Sequence, residues 1–151
     1  MTAPVPRPLA AVLDGSTPPG VVPWPPDRPV DEALDAARAA GWHGALLDLR
    51  GVADKAGFMD RCARALRLPD WFGRNWDALA DCLTDLSWCP PDRGRVLVVS
   101  GWQGYAAAAP DDWGTVEEIV ADAVAFWRDT DTGLVVVLAS GRSPEAGDAA
   151  G

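Results

Sequence analysis

Residues 95–100 read RVLVVS and residues 134–139 read LVVVLA. Each is a short, unbroken apolar run of the kind found in strands buried on both faces. A third strand, GALLDL, occupies 44–49. Between these runs the period changes. Residues 54–66 place Phe58, Cys62, Ala65 and Leu66 along one side of a helix. Residues 112–129 place Val116, Ile119, Val120, Ala123, Val124 and Trp127 at helical spacing,. Glu117 and Glu118 suit the positive end of that helix, and Asp111 and Asp112 suit its cap,. Strands separated by helices specify an α/β sheet whose neighbours run parallel.

Upstream, residues 20–24 read as an edge strand, since Pro23 is tolerated only at an edge,. Residues 25–29 form a turn-like connection. Residues 31–40 form a short helix with Ala33, Leu34 and Ala37 inward and Gly41 as its stop,. Residues 1–19 are proline-rich and read as a flexible, extended tail, with at most a marginal strand in the apolar stretch from Leu9 to Leu13. Residues 101–110 read as a loop carrying at most a helical turn across its alanines. Residues 141–151 are small and polar and read as disordered,. One domain over 20–140 is expected, with 20–43 as an N-terminal extension and 44–139 as its core. No internal repeat is evident.

The segment 68–86, LPDWFGRNWDALADCLTDL, carries the functional signal. Asn75 is the expected N-cap of a helix running to Leu86, and Gly73 upstream is free to adopt unusual backbone angles. Trp76, Leu79, Leu83 and Leu86 form the expected buried stripe, with Cys82 at its margin. Asp77, Asp81 and Asp85 fall nearly opposite, with Ala80 and Thr84. Like charges four residues apart destabilise a helix by a few tenths of a kcal/mol. Trp71 and Phe72 stand just before, as exposed aromatics. A row of acids beside large aromatics is either a solvated face or a surface shaped for a cationic partner.

The pattern formed by Leu68, Pro69, Asp70, Trp71, Phe72, Gly73, Asn75, Asp77, Ala78, Leu79, Asp81, Cys82 and Leu83 resembles the barstar family of intracellular ribonuclease inhibitors. A weaker similarity runs from about Ala45 to Ala139. The resemblance implies an α/β fold of three layers, a small parallel sheet packed with helices, here with an added N-terminal strand-helix unit. It implies a stoichiometric inhibitor that plugs the active site of a small basic secreted ribonuclease, not an enzyme. Asp81 matches the acid that enters the phosphate site and Asp77 a second contact acid. Trp71 and Phe72 match the paired aromatics of the loop, and Asn75 the asparagine of the motif. Ala80 and Asp85 lie on the same face, and Asp129 and Asp131 fall near further contact acids. Asp129 and Asp131 serve equally well as a helix end and a solvated turn. Arg74 stands where the best-known member has an acid. Ala80 and Leu86 replace tryptophans, and Trp71 and Phe72 replace tyrosines. These departures point to a different target nuclease.

The physics of such an inhibitor is general. A ribonuclease gathers cations to bind phosphate, and a carboxylate on a rigid helix can form charge-assisted hydrogen bonds there. The chain of 151 residues has a net charge of -9, which disfavours direct nucleic-acid binding and favours a basic partner,. The proline-broken N-terminus does not read as a signal peptide, and no apolar run reaches the roughly 20 residues of a membrane helix. A cytoplasmic protein, monomeric when free, is expected. Cys62, Cys82 and Cys89 lack zinc-site spacing, and reduced buried thiols are expected for the first two,.

Two rivals remain at this point. One is an interaction module of the same fold that binds another basic protein. The other is a metal-dependent nuclease using Asp77, Asp81 and Asp85, although acids on successive helical turns spread along the axis instead of converging. No metal or cofactor is expected. The single histidine, His43, has no partner group for acid-base chemistry in the sequence.

Overall fold

The computed structural model describes residues 7–25, 28–68, 72–73, 75–85, 94–128, 130 and 132–139. Four strands form one sheet: β1 (Val21–Trp24), β2 (His43–Asp48), β3 (Gly94–Ser100) and β4 (Gly133–Ala139). Their order is β1-β4-β3-β2, and every pairing is parallel. The α/β fold with a parallel sheet follows the sequence pattern. The added strand β1 extends the sheet beyond β4, with Val21 opposite Val136 and Pro23 opposite Leu138. Pro23 sits on the outermost strand, where a missing amide leaves no ladder position empty.

Alternation along β3 and β4 divides the core in two. Leu97, Val99, Leu134 and Val136 face one layer, and Val96, Val98, Val135 and Val137 face the other. The first layer is built from α3 (Lys55–Ala65), α4 (Trp76–Leu83), α5 (Gln103–Ala108) and α6 (Pro110–Arg128). The second is built from α1 (Arg7–Leu13) and α2 (Asp31–Ala39). The result is three layers. Gly41 ends α2 in a left-handed conformation, φ +85, which places Trp42 against the second layer,. Asp54 caps α3 by accepting from the Gly57 amide at 2.8 Å.

Several expectations are corrected. Residues 7–19 are not an extended tail: α1 is a helix whose Leu9 is fully buried and whose Val12 is 2% exposed, packed with Trp24 and α2. Residues 9–13 thus contribute to the core although they precede the expected bound at residue 20. Pro8 lies in the first turn of α1, where an amide has no intrahelical acceptor to lose. The alanine-rich stretch in 101–110 is the helix α5, and α6 starts two residues early, on Pro110,. The expected flexible ends, residues 1–6 and 140–151, lie outside the described residues. No helix among the described residues is long and apolar enough to cross a membrane.

Candidate functional site

The acidic helix α4 is short, and both of its ends are fixed. At the start, Asn75 holds an extended backbone and its Oδ1 accepts from the Ala78 amide at 2.7 Å. A cap of this kind stabilises a helix by about 1 kcal/mol. Gly73 does not use a left-handed conformation, contrary to expectation. Its reason is space: a Cβ there would stand 3.2 Å from Asn75 Nδ2 and crowd the cap. At the far end, Thr84 Oγ1 donates to the carbonyls of Ala80 (3.0 Å) and Asp81 (3.2 Å). Trp127 Nε1 donates to the Leu83 carbonyl at 2.6 Å, tying α4 to α6. The Trp127 ring is itself held, with Phe126 edge-on at 5.2 Å and the buried Arg95 guanidinium 4.9 Å from its centre,.

The inward side of α4 consists of Leu79, Cys82 and Leu83, all buried. Cys82 lies in the core, not at its margin, and Trp76 is the partly exposed residue of the stripe. Trp76 lies 5.9 Å from Phe58, centre to centre, with the Lys55 ammonium 5.4 Å above its indole. Cys62 and Cys82 are free thiols. Burial raises both thiol pKa values, and at Cys82 the charges of Asp85 and then Asp81 add to the rise. Both changes disfavour the thiolate, which is the reactive form.

Asp77 and Asp81 are exposed on the outward side of α4, and Ala80 between them is half-buried. Asp85 is also exposed, but it is not helical. The helix ends at Leu83, and Asp85 lies one residue past the Thr84 cap, its amide bonded to the Cys82 carbonyl at 3.1 Å. The backbone turns out of the helix at Thr84 (φ -98, ψ 2) and closes with this i→i−3 bond, so the third acid of the row leaves the helical face,. Among the described residues, no ion pair neutralises Asp77, Asp81 or Asp85. No group of three His, Cys, Asp or Glu residues there is arranged to hold a metal ion. His43 is exposed at the start of β2.

Phe72 is a further correction. It is 7% exposed and packs in the core with Phe58 and Leu79, so it is not an exposed aromatic. Burying such a ring contributes about 1.5–3 kcal/mol, enough to anchor the segment leading into the Asn75 cap. Trp71, Arg74, Leu86, Cys89, Asp129 and Asp131 lie outside the described residues. The structure adds one residue that sequence reading passed over. Phe126 is 49% exposed on α6, beside the Trp127 that holds the end of α4. The available signal was an aromatic out of register with the apolar stripe of that helix.

Comparison with known proteins agrees with this geometry. Residues 42–139 match the family model described as Barstar (barnase inhibitor). No curated protein gives a significant match.

Proposed function

The chain belongs to the barstar family, and from that premise we propose that it is a stoichiometric inhibitor of a small basic secreted ribonuclease. The observation that carries the reading is α4 itself. Its apolar side is locked into the core, both ends are pinned, and Asp77 and Asp81 stand exposed without an internal counter-charge among the described residues. A carboxylate so held needs little reorganisation to enter a cationic site.

Asp81 acts as the phosphate mimic at the centre of the contact. Asp77 takes a second cation, and Asp85 lies at the rim. Half-buried Ala80, standing in a small position between the acids, lets the partner approach the helix closely. Asn75 positions the helix, and Phe72 acts from beneath by fixing the segment that follows Trp71. Trp71, Asp129, Asp131 and the exposed Phe126 complete the contact. The inhibitor works without turnover, cofactor or metal, does not bind nucleic acid itself, and is a cytoplasmic monomer when free.

Binding kinetics test this reading. The excess negative charge should steer encounter with a basic enzyme, so the association rate should fall steeply from low to physiological salt, with dissociation changing less. A flat association rate would remove electrostatic steering from the account. Degradation of RNA by the purified chain with Mg²⁺ would replace inhibition with catalysis.

A further inference from the structure

We propose that the layer between the sheet and α3, α4 and α6 contains a binding pocket for a small uncharged apolar molecule of one or two rings. A cavity of about 220 Å³ lies there. Its floor includes Leu97 of β3, and its walls include Cys62, Leu79 and Val120. Protein interiors close to crystal density leave few voids larger than a water molecule. An apolar cavity of about 150 Å³ is enough to stay dry and take up benzene. Here the space is larger, and a water inside would need two to four polar partners that a leucine and valine lining does not offer.

The fold explains both the pocket and its entrance. The added strand β1 extends the sheet past β4. On the α6 side it leaves Val21 46% exposed and Pro23 exposed, instead of roofed by a helix. Val21 and the exposed Glu117 of α6 both line the cavity and form its mouth. Glu117 is the one charged group among the described lining residues. It disfavours an anion, so the ligand is not a fatty acid or an aromatic carboxylate. This pocket does not depend on the inhibitory reading, since it opens at the sheet edge and not on the exposed acids of α4.

The test uses the full chain with toluene as probe and hexanoate as the anionic control. At about ten times its dissociation constant, toluene should raise the thermal midpoint by roughly 3–6 °C. Methyl NMR signals of Leu79, Leu97 and Val120 should move, while those of Leu9 and Val12, in the opposite layer, should not. Hexanoate should do neither. Val120→Phe, which fills the cavity from a half-buried position, should abolish the toluene shift. The proposal is overturned if toluene near its solubility limit changes neither midpoint nor methyl signals. It is also overturned if hexanoate acts equally well, or if the response survives in a folded Val120→Phe protein. Should that variant not fold, the pattern of methyl shifts in the parent decides by itself.

Discussion

Replacing Asp81 by alanine should separate binding from stability. Asp81 is exposed in the last turn of α4, and among the described residues no cation pairs with its carboxylate. Among those residues its removal therefore breaks no ion pair. It relieves repulsion from Asp77 one turn away and removes a negative charge from the negative end of the helix dipole, each worth a few tenths of a kcal/mol. The Thr84 hydroxyl bonds only to backbone carbonyls of α4, so the helix end survives. The thermal midpoint should stay within about 2 °C of the parent, on the high side. In the complex the balance reverses. Nuclease cations desolvated around Asp81 would lose their partner, which costs about 2–5 kcal/mol, a range to which complexes of this family themselves contributed. At 1.4 kcal/mol per factor of ten, the inhibition constant should rise from about 30-fold to several thousand-fold. Asp77→Ala should cost less. Asp85→Ala, off the helix and at the rim, should cost about 0–1 kcal/mol. The assay is an inhibition constant beside a thermal midpoint for each variant. Equal losses at all three positions, or losses that follow unfolding, would refute the assignment of Asp81 as the anchor.

Two further predictions concern the fold. Leu9→Ala removes a fully buried side chain from α1 and should destabilise by about 2–5 kcal/mol; a midpoint within 1 °C of the parent would return residues 7–13 to the status of a tail. Asp48 tests the acid limb of stability. Burial pushes its carboxyl pKa up, but the hydrogen bonds and charge of Arg50, with the charge of Arg61, outweigh this and hold it below the ordinary value of 3.8. A lowered folded pKa stabilises above the unfolded value, and that contribution is lost as pH falls through the folded one. Midpoints from pH 6 down to pH 2.5 should therefore fall less steeply below about pH 4 in Asp48→Asn than in the parent. Parallel curves would show that the carboxylate does not contribute.

The strands were legible because RVLVVS and LVVVLA are too apolar and too short to be anything but buried strands, and the structure puts them side by side in the sheet. The cap at Asn75 was legible because its chemistry is local. What escaped depends on contacts distant in sequence. The prolines before Leu9 conceal α1, which is held by Trp24 and α2 more than by its own propensity,. Phe72 reads as exposed because it stands beside the acid row just before the helix, yet it is buried in the core cluster formed by residues distant in sequence. Asp85 belongs to the helical acid row by spacing alone, and the backbone turn at Thr84 removes it. Phe126 gains meaning only once Trp127 is seen gripping Leu83 across 44 residues.

The central claim is that α4 delivers a carboxylate into a ribonuclease active site. It is tested most directly by titrating the full chain into a panel of small basic microbial ribonucleases while following RNA cleavage. The account predicts that, for a cognate enzyme, activity falls linearly and levels off near one inhibitor per nuclease, and that Asp81→Ala abolishes the sharp end point at the same concentrations. If every member of the panel is untouched at micromolar protein, the inhibitory reading is contradicted and the fold serves to bind some other basic protein.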